Sequence, residues 1–167
     1  MTWFARILTI VTLSSALTGC GGGSESPDFT FIDAYLTTWD RFARGANELQ
    51  PQLKLETPRF QEQLAKALVQ GDRRAPSRVV FYAVVQVGGF IAYNSELGQA
   101  CEQLVGRELS TSTSPQGARS YFAGDLYFWW EKHATEFDSF PLYEEWRQRD
   151  FAKQTVIPMY LSASKAK

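Results

Sequence analysis

The chain has 167 residues, 44% of them hydrophobic and 21% charged, which suits one compact domain with its own core. Seventeen basic side chains face 18 acidic ones, so there is no cationic excess of the kind that marks a nucleic-acid binder. The charges are spread along the chain rather than blocked, which argues for an ordinary solvated surface and against a polybasic patch for anionic lipid.

The N-terminus reads as an export signal. Arg6 supplies a basic start, and residues 7–16 form an apolar run rich in Leu, Ile and Val. A run of that length is too short for a permanent membrane span, which takes about 20 apolar residues, so it is expected to be removed. It closes on Leu17-Thr18-Gly19-Cys20. This tetrapeptide resembles the lipobox of bacterial lipoproteins, and the resemblance covers about the first 20 residues only. It implies diacylation of the Cys20 thiol, cleavage between Gly19 and Cys20, and acylation of the new amine. Cysteine suits that chemistry because its thiolate is the nucleophile that forms the thioether. Two or three acyl chains then anchor stably, at about 0.8 kcal/mol per buried methylene. Gly21 stands where an aspartate would resemble an inner-membrane retention signal. The resemblance therefore points to a lipid-anchored envelope protein, on the periplasmic face of the outer membrane if the host has two membranes.

With residues 1–19 removed and Cys20 lipidated, Cys101 has no partner within the chain. That excludes an intramolecular disulfide framework and a zinc site of the usual cysteine type. Cys101 sits among apolar and small residues and is expected to be a buried small hydrophobe. Residues 20–27 form a Gly/Ser tether spanning on the order of 15 Å.

Helical signals follow, and the expected fold is an all-α, irregular bundle of about five helices over residues 28–161. Asp28 is placed to cap a first helix reaching about Gln50. Its apolar stripe is Ile32, Tyr35, Leu36, Trp39, Phe42, Ala43, Ala46 and Leu49. Pro51 is expected to end it. Thr57-Pro58 reads as the start of a second helix, with Phe60, Leu64, Ala67 and Leu68 on one face and Gly71 as its stop. Residues 77–108 read as one long buried helix at a spacing of about 3.5 residues; the alternative is a β-branched strand ending at Val87. Residues 109–117 read as a loop, Ser114-Pro115 as the start of a helix to about Glu136, and Asp138 to Pro141 as the start of a last helix. Pro158 is expected to break that helix, leaving 162–167 as a disordered tail.

The densest feature lies between Tyr121 and Phe151, where 11 of 31 residues are aromatic. Leu126-Tyr127-Phe128-Trp129-Trp130 cannot all share one face, because successive helical residues turn by about 100°. Such a helix is either central in the bundle or carries aromatic surface outward. Tyr127, Trp129, Trp130, His133 and Trp146 are the candidate partner- or ligand-binding residues, since Trp and Tyr dominate binding hot spots. His133, the one histidine, lies one turn beyond Trp129. It has no second histidine for a zinc cluster, and pairing with Met159 on a haem has no further motif behind it. It reads as a packing residue, and no cofactor is called for.

No Gly-x-Ser-x-Gly nucleophile motif occurs, and Ser162 to Lys165 lies in the expected tail. Glu144-Glu145 has the residue types of a glycosidase pair, but neighbours on a helix point about 100° apart. Asp125 and Glu131 beside the aromatics are the better carboxylates for a perturbed site. The anchor and the aromatic excess together favour a non-enzymatic binding or assembly subunit for another envelope protein. A carrier of lipid, sugar or haem is the alternative, and a cell-wall hydrolase has the least support.

Overall fold

The computed structural model describes residues 26–86 and 91–165. The expected signal peptide, Cys20 and most of the tether lie outside the described residues. Seven α-helices make up nearly all of the described fold, with one short β-hairpin. The all-α expectation holds, although the helices are seven rather than about five.

Helix α1 spans Phe29–Ala43. Asp28 caps it as expected, accepting from the Phe31 amide at 3.0 Å. Its own amide donates to Gln63 Oε1, and Arg59 pairs with its carboxylate at 3.2 Å. The helix stops at Ala43, before the expected end at Gln50, because Gly45 takes φ +104. A 3₁₀ turn at Asn47–Leu49 then leads into α2, Gln50–Val69. Pro51 therefore opens a helix instead of closing one, since a first-turn proline gives up no hydrogen bond. Pro58 lies inside α2. Lys54 and Pro58 are both exposed, so the carbonyl that proline leaves unpaired faces water.

Helix α3, Ala75–Val84, is buried along every residue. A helix covered all round is the centre of its domain, and here that place belongs to α3 rather than to the aromatic helix. Arg78 is tolerated in it because Asp33 accepts from Nε and Nη2 at 2.6 and 2.8 Å, which leaves no uncompensated buried charge.

The expected helix over 77–108 is not one element. Helix α3 ends at Val84, and Ala92 bridges to Ser120 in antiparallel pairing. Asn94 turns with φ +60, and Ser95 caps a new helix, α4 (Glu96–Val105), by accepting from the Gly98 amide. Gly106 closes α4 in the left-handed region. The near-3.5 spacing across this stretch reflects buried positions on two separate helices and on the segment between them, such as Val80, Val84, Ile91 and Cys101.

The expected loop at 109–117 is largely a hairpin. Strand β1 (Thr111–Thr113) pairs antiparallel with β2 (Arg119–Tyr121) across Ser114 to Ala118. Gly117 takes φ +82, and Ser114 Oγ accepts from the Ala118 amide. Helix α5 then begins at Ala123 rather than at Ser114, and runs to His133, followed by a 3₁₀ turn to Glu136.

Helix α6 spans Pro141–Gln148. Its start is as expected but its cap is not: Asp138 makes no cap bond and instead pairs with Arg73. The chain breaks at Arg149 and not at Pro158. A π turn at Ala152–Val156 continues into α7, Ile157–Lys165, which carries Pro158 inside it. The expected tail at 162–167 is thus helical as far as Lys165. Ala152, Val156 and Tyr160 are buried along this segment, and that packing holds a stretch whose proline argues locally for an end.

Gly98 marks the tightest approach at any glycine among the described residues. A Cβ there would lie 2.2 Å from Tyr121 Cε2 and 3.2 Å from the Ala92 carbonyl oxygen. Gly98→Ala is expected to destabilise by about 1–3 kcal/mol through overpacking, despite the gain of about 1 kcal/mol that alanine brings to a helix interior. Urea unfolding followed by circular dichroism measures it, and unchanged stability would show that Tyr121 can move aside.

Candidate functional site

Helix α5 lies against the central α3, against α7 and, at fewer points, against α4. Leu126, Tyr127 and Trp130 are buried, while Phe128 and Trp129 are half-buried. The five-residue run is thus covered on most of its circumference. Trp146, on α6, is buried as well. Tyr127, Trp130 and Trp146 are therefore packed into the core. Tyr160 of α7 lies against Tyr127, and Tyr143 of α6 against Trp130.

The core aromatics form a contiguous stack. Trp130 meets Tyr143 edge-on with ring centres 5.9 Å apart, and Tyr143 stacks on Trp146 at 5.8 Å. Tyr127 contacts Tyr160 at 5.7 Å. Burial pushes the phenols of Tyr143 and Tyr160 upward, the latter to about 12.

Of the five candidates, Trp129 and His133 remain partly exposed. Their rings stack at 5.1 Å, and Phe137 lies 5.5 Å from Trp129. His133 Nδ1 sits 2.7 Å from Glu136 Oε1. This is a packed surface ridge in which the histidine shields the indole and is itself tied to a neighbouring carboxylate.

The carboxylates are similarly occupied. Asp125 is buried and accepts from the Ser110 amide at 2.7 Å, fixing the base of the hairpin. Glu131 pairs with Arg147 at 3.3 Å, and Glu145 with Arg149 at 2.8 Å. Glu144 and Glu145 both lie on the exposed side of α6 and do not converge. Among the described residues no group of three or more His, Cys, Asp or Glu side chains is placed to hold a metal ion. Cys101 is fully buried as expected, with its thiol pushed well up by loss of hydration.

A second constellation escaped the sequence reading. A groove of about 300 Å³ lies where the ends of α1 and α3 meet the α6–α7 junction. Ala43, Val85, Trp146, Phe151 and Ala152 make its apolar lining, and Asp40, Arg44 and Arg149 its polar wall. Asp40 is only 1% exposed. Its carboxylate accepts from Arg149 Nη1 and Nη2 at 2.5 and 3.1 Å, and pairs with Arg44 at 3.1 Å. The bond to Asp40 holds the Arg149 guanidinium more firmly protonated still. Both arginines follow helix C-termini, where the macrodipole favours cations. The sequence did carry one signal: Ile32, Leu36 and Asp40 recur every four residues, which puts a carboxylate on the buried stripe of α1. A partner for it had to come from elsewhere, and that partner lies 109 residues away.

No protein-family model matches this chain, and neither the curated proteins nor the solved structures include one with detectable similarity to it. Among the described residues no helix is long and apolar enough to cross a membrane.

Proposed function

We propose that this chain is a lipid-anchored subunit of the bacterial cell envelope that acts by binding another envelope protein rather than by catalysis. The carrying observation is Leu17-Thr18-Gly19-Cys20, placed directly behind a basic residue and a short apolar run. Acyl chains on Cys20 would confine the domain to a membrane surface. A modest binding patch then gains effective concentration for any partner held in the same membrane. Asp28, near the start of the described residues, has its amide and carboxylate both held by α2. The groove, at about 300 Å³, sits at the lower bound of small-molecule sites, which favours docking of a partner's side chain over carriage of a haem or lipid.

Palmitate labelling tests the anchor. Wild-type protein is expected to incorporate label and to fractionate with membranes. Cys20→Ser is expected to take up none and to keep its signal peptide. The buried Cys101 gives the label no competing thiol in the folded domain. Unlabelled wild-type protein, free in the periplasmic fraction, would overturn the reading.

A further inference from the structure

Among the described residues the β-hairpin leaves one sheet edge unpaired. Ser110 accepts from the Phe122 amide at 2.7 Å, and the Ser114 amide donates to the Ala118 carbonyl at 2.8 Å. In the register Ser112↔Ser120, the even-numbered residues of β1 therefore turn N–H and C=O toward β2. The backbone groups of Thr111 and Thr113 point the other way, as antiparallel pairing requires. Strand β2 is engaged on both sides: its Tyr121 amide donates to the Ile91 carbonyl at 2.9 Å, and its Arg119 carbonyl accepts from the Tyr93 amide at 3.1 Å. Strand β1 is thus the outer strand, with Ser112 and Thr113 exposed. Water-facing edges are commonly blunted by charged side chains, proline or a bulge. Residues 109–118 carry no charged side chain, in a chain that is 21% charged. The β1–β2 pairing has no bulge, and Pro115 lies in the turn, outside the strand.

We propose that β1 pairs antiparallel with β1 of a second copy of this chain, about a two-fold axis at Ser112. That register sets Thr111 against the partner subunit's Thr113, and Thr113 against the partner subunit's Thr111. Each pair exchanges two backbone hydrogen bonds, so all the outward groups of Thr111 and Thr113 are satisfied. The threonines meet side by side on one face, a cross-strand pairing that stabilises antiparallel sheets. Two-fold symmetry opposes the uncharged stretch with itself, so no like charges meet along the strand. A foreign strand would be selected through pockets for its alternate side chains. That face of the hairpin is already filled: Arg119 donates to Thr111 Oγ1 at 3.1 Å and lies over the Tyr93 ring. The contact is small beside a standard interface of about 1,600 Å². Confinement to one membrane would strengthen it, and to that extent the proposal rests on the anchored reading.

Cysteine cross-linking of the full chain in its native cells tests it. Across the new edge, position 112 faces its own copy as a non-hydrogen-bonded pair, with Cα atoms about 4.5 Å apart. A disulfide spans about 4.4–6.8 Å between Cα atoms. Ser112→Cys is therefore expected to give, after brief treatment with diamide, a reducible band at twice the chain's mass. The wild-type chain, which carries the same Cys20 and Cys101, sets the background. Gln116→Cys is also exposed, but at the tip of the turn it lies roughly 20 Å from its copy, and its yield should stay at background. Thr111→Pro, added to Ser112→Cys, removes an outward amide that β2 does not use. It should lower the yield about tenfold, with circular dichroism checking the fold. Should that variant fail to fold, the contrast between Ser112→Cys and Gln116→Cys decides alone. Equal yields at the two positions, or a yield indifferent to Thr111→Pro in a folded chain, overturn the proposal. So does a Ser112→Cys conjugate with a different protein, which would place a foreign strand on this edge. Absence of any Ser112→Cys dimer overturns the pairing whether or not palmitate is incorporated, so the anchor stands or falls separately.

Discussion

Trp130→Ala is expected to destabilise the domain by about 3–5 kcal/mol, the range for emptying a buried aromatic site, whereas Trp129→Ala should cost about 1 kcal/mol or less. The two indoles are sequence neighbours with ring centres 6.5 Å apart, yet their surroundings differ. Trp130 is 1% exposed and fills the space between Phe137 and Tyr143. Those rings belong to a turn and a helix that cannot collapse into the void without breaking the Tyr143–Trp146 stack. Trp129 lies at the surface under His133, and water replaces it at little cost. The Trp130 indole N–H has no hydrogen-bond partner among the described residues, so Trp130→Phe, which removes that desolvated donor, should cost markedly less than Trp130→Ala. Urea unfolding followed by circular dichroism resolves the three variants. Equal losses for Trp129→Ala and Trp130→Ala would contradict the placement of α5.

Alkaline pH is expected to unfold this protein abruptly between about pH 10 and 12. Burial raises the phenols of Tyr35, Tyr82, Tyr143 and Tyr160 in the folded chain, Tyr160 to about 12 and Tyr35 and Tyr143 further. In the unfolded chain a tyrosine releases its proton near pH 10. Below that pH both states are protonated, and the stability is fully present. Above it the unfolded state has fewer bound protons than the folded one, so stability falls as pH rises. Each tyrosine contributes about 1.4 kcal/mol per pH unit. Tyr35, Tyr143 and Tyr160 acting together would remove about 8 kcal/mol within roughly two units, enough to exhaust a domain stability at the lower end of the usual range of about 5–15 kcal/mol. Phenolate absorbance and the circular dichroism signal should change together. Phenolate appearing near pH 10 while the helical signal persists would show that these rings are accessible in the folded state. Tyr160→Phe should move the unfolding midpoint upward, because one of the four protons is then no longer at stake.

Local signals carried much of this fold. Asp28 before an apolar stripe fixed the start of α1, and Gly71 the end of α2, because a capping carboxylate and a left-handed glycine act within one turn of chain. Cys101 was legible as a buried hydrophobe from its neighbours alone. The Pro115–Gly117 turn and the Asn94-Ser95 cap were also written locally. The first was taken for a helix start because a Ser-Pro pair also opens helices, and the second was overridden by apolar spacing that crossed element boundaries, since periodicity reports burial and not continuity.

The prolines show the limit most clearly. Pro51 starts a helix, Pro58 and Pro158 sit inside helices, and Arg149, which no local rule marks, is where the chain breaks. Exposure of the Lys54 side of α2 and burial of Ala152, Val156 and Tyr160 decided these cases, and both depend on what packs across from the residue. The same holds for the aromatic segment. Composition required that Leu126 to Trp130 be covered nearly all round or else show aromatic surface. The assembly of α3, α6 and α7 selected the first for Tyr127 and Trp130 and left Trp129 between.

The sequence by itself determined the helical class and the capped start of α1, because each is encoded within a few neighbouring residues. Only the tertiary structure decided which aromatics are core, that Asp40 meets Arg149 from 109 residues away in the chain, and that a groove lies beside that pair. Those features are made by residues far apart in sequence, where no local pattern records the partner.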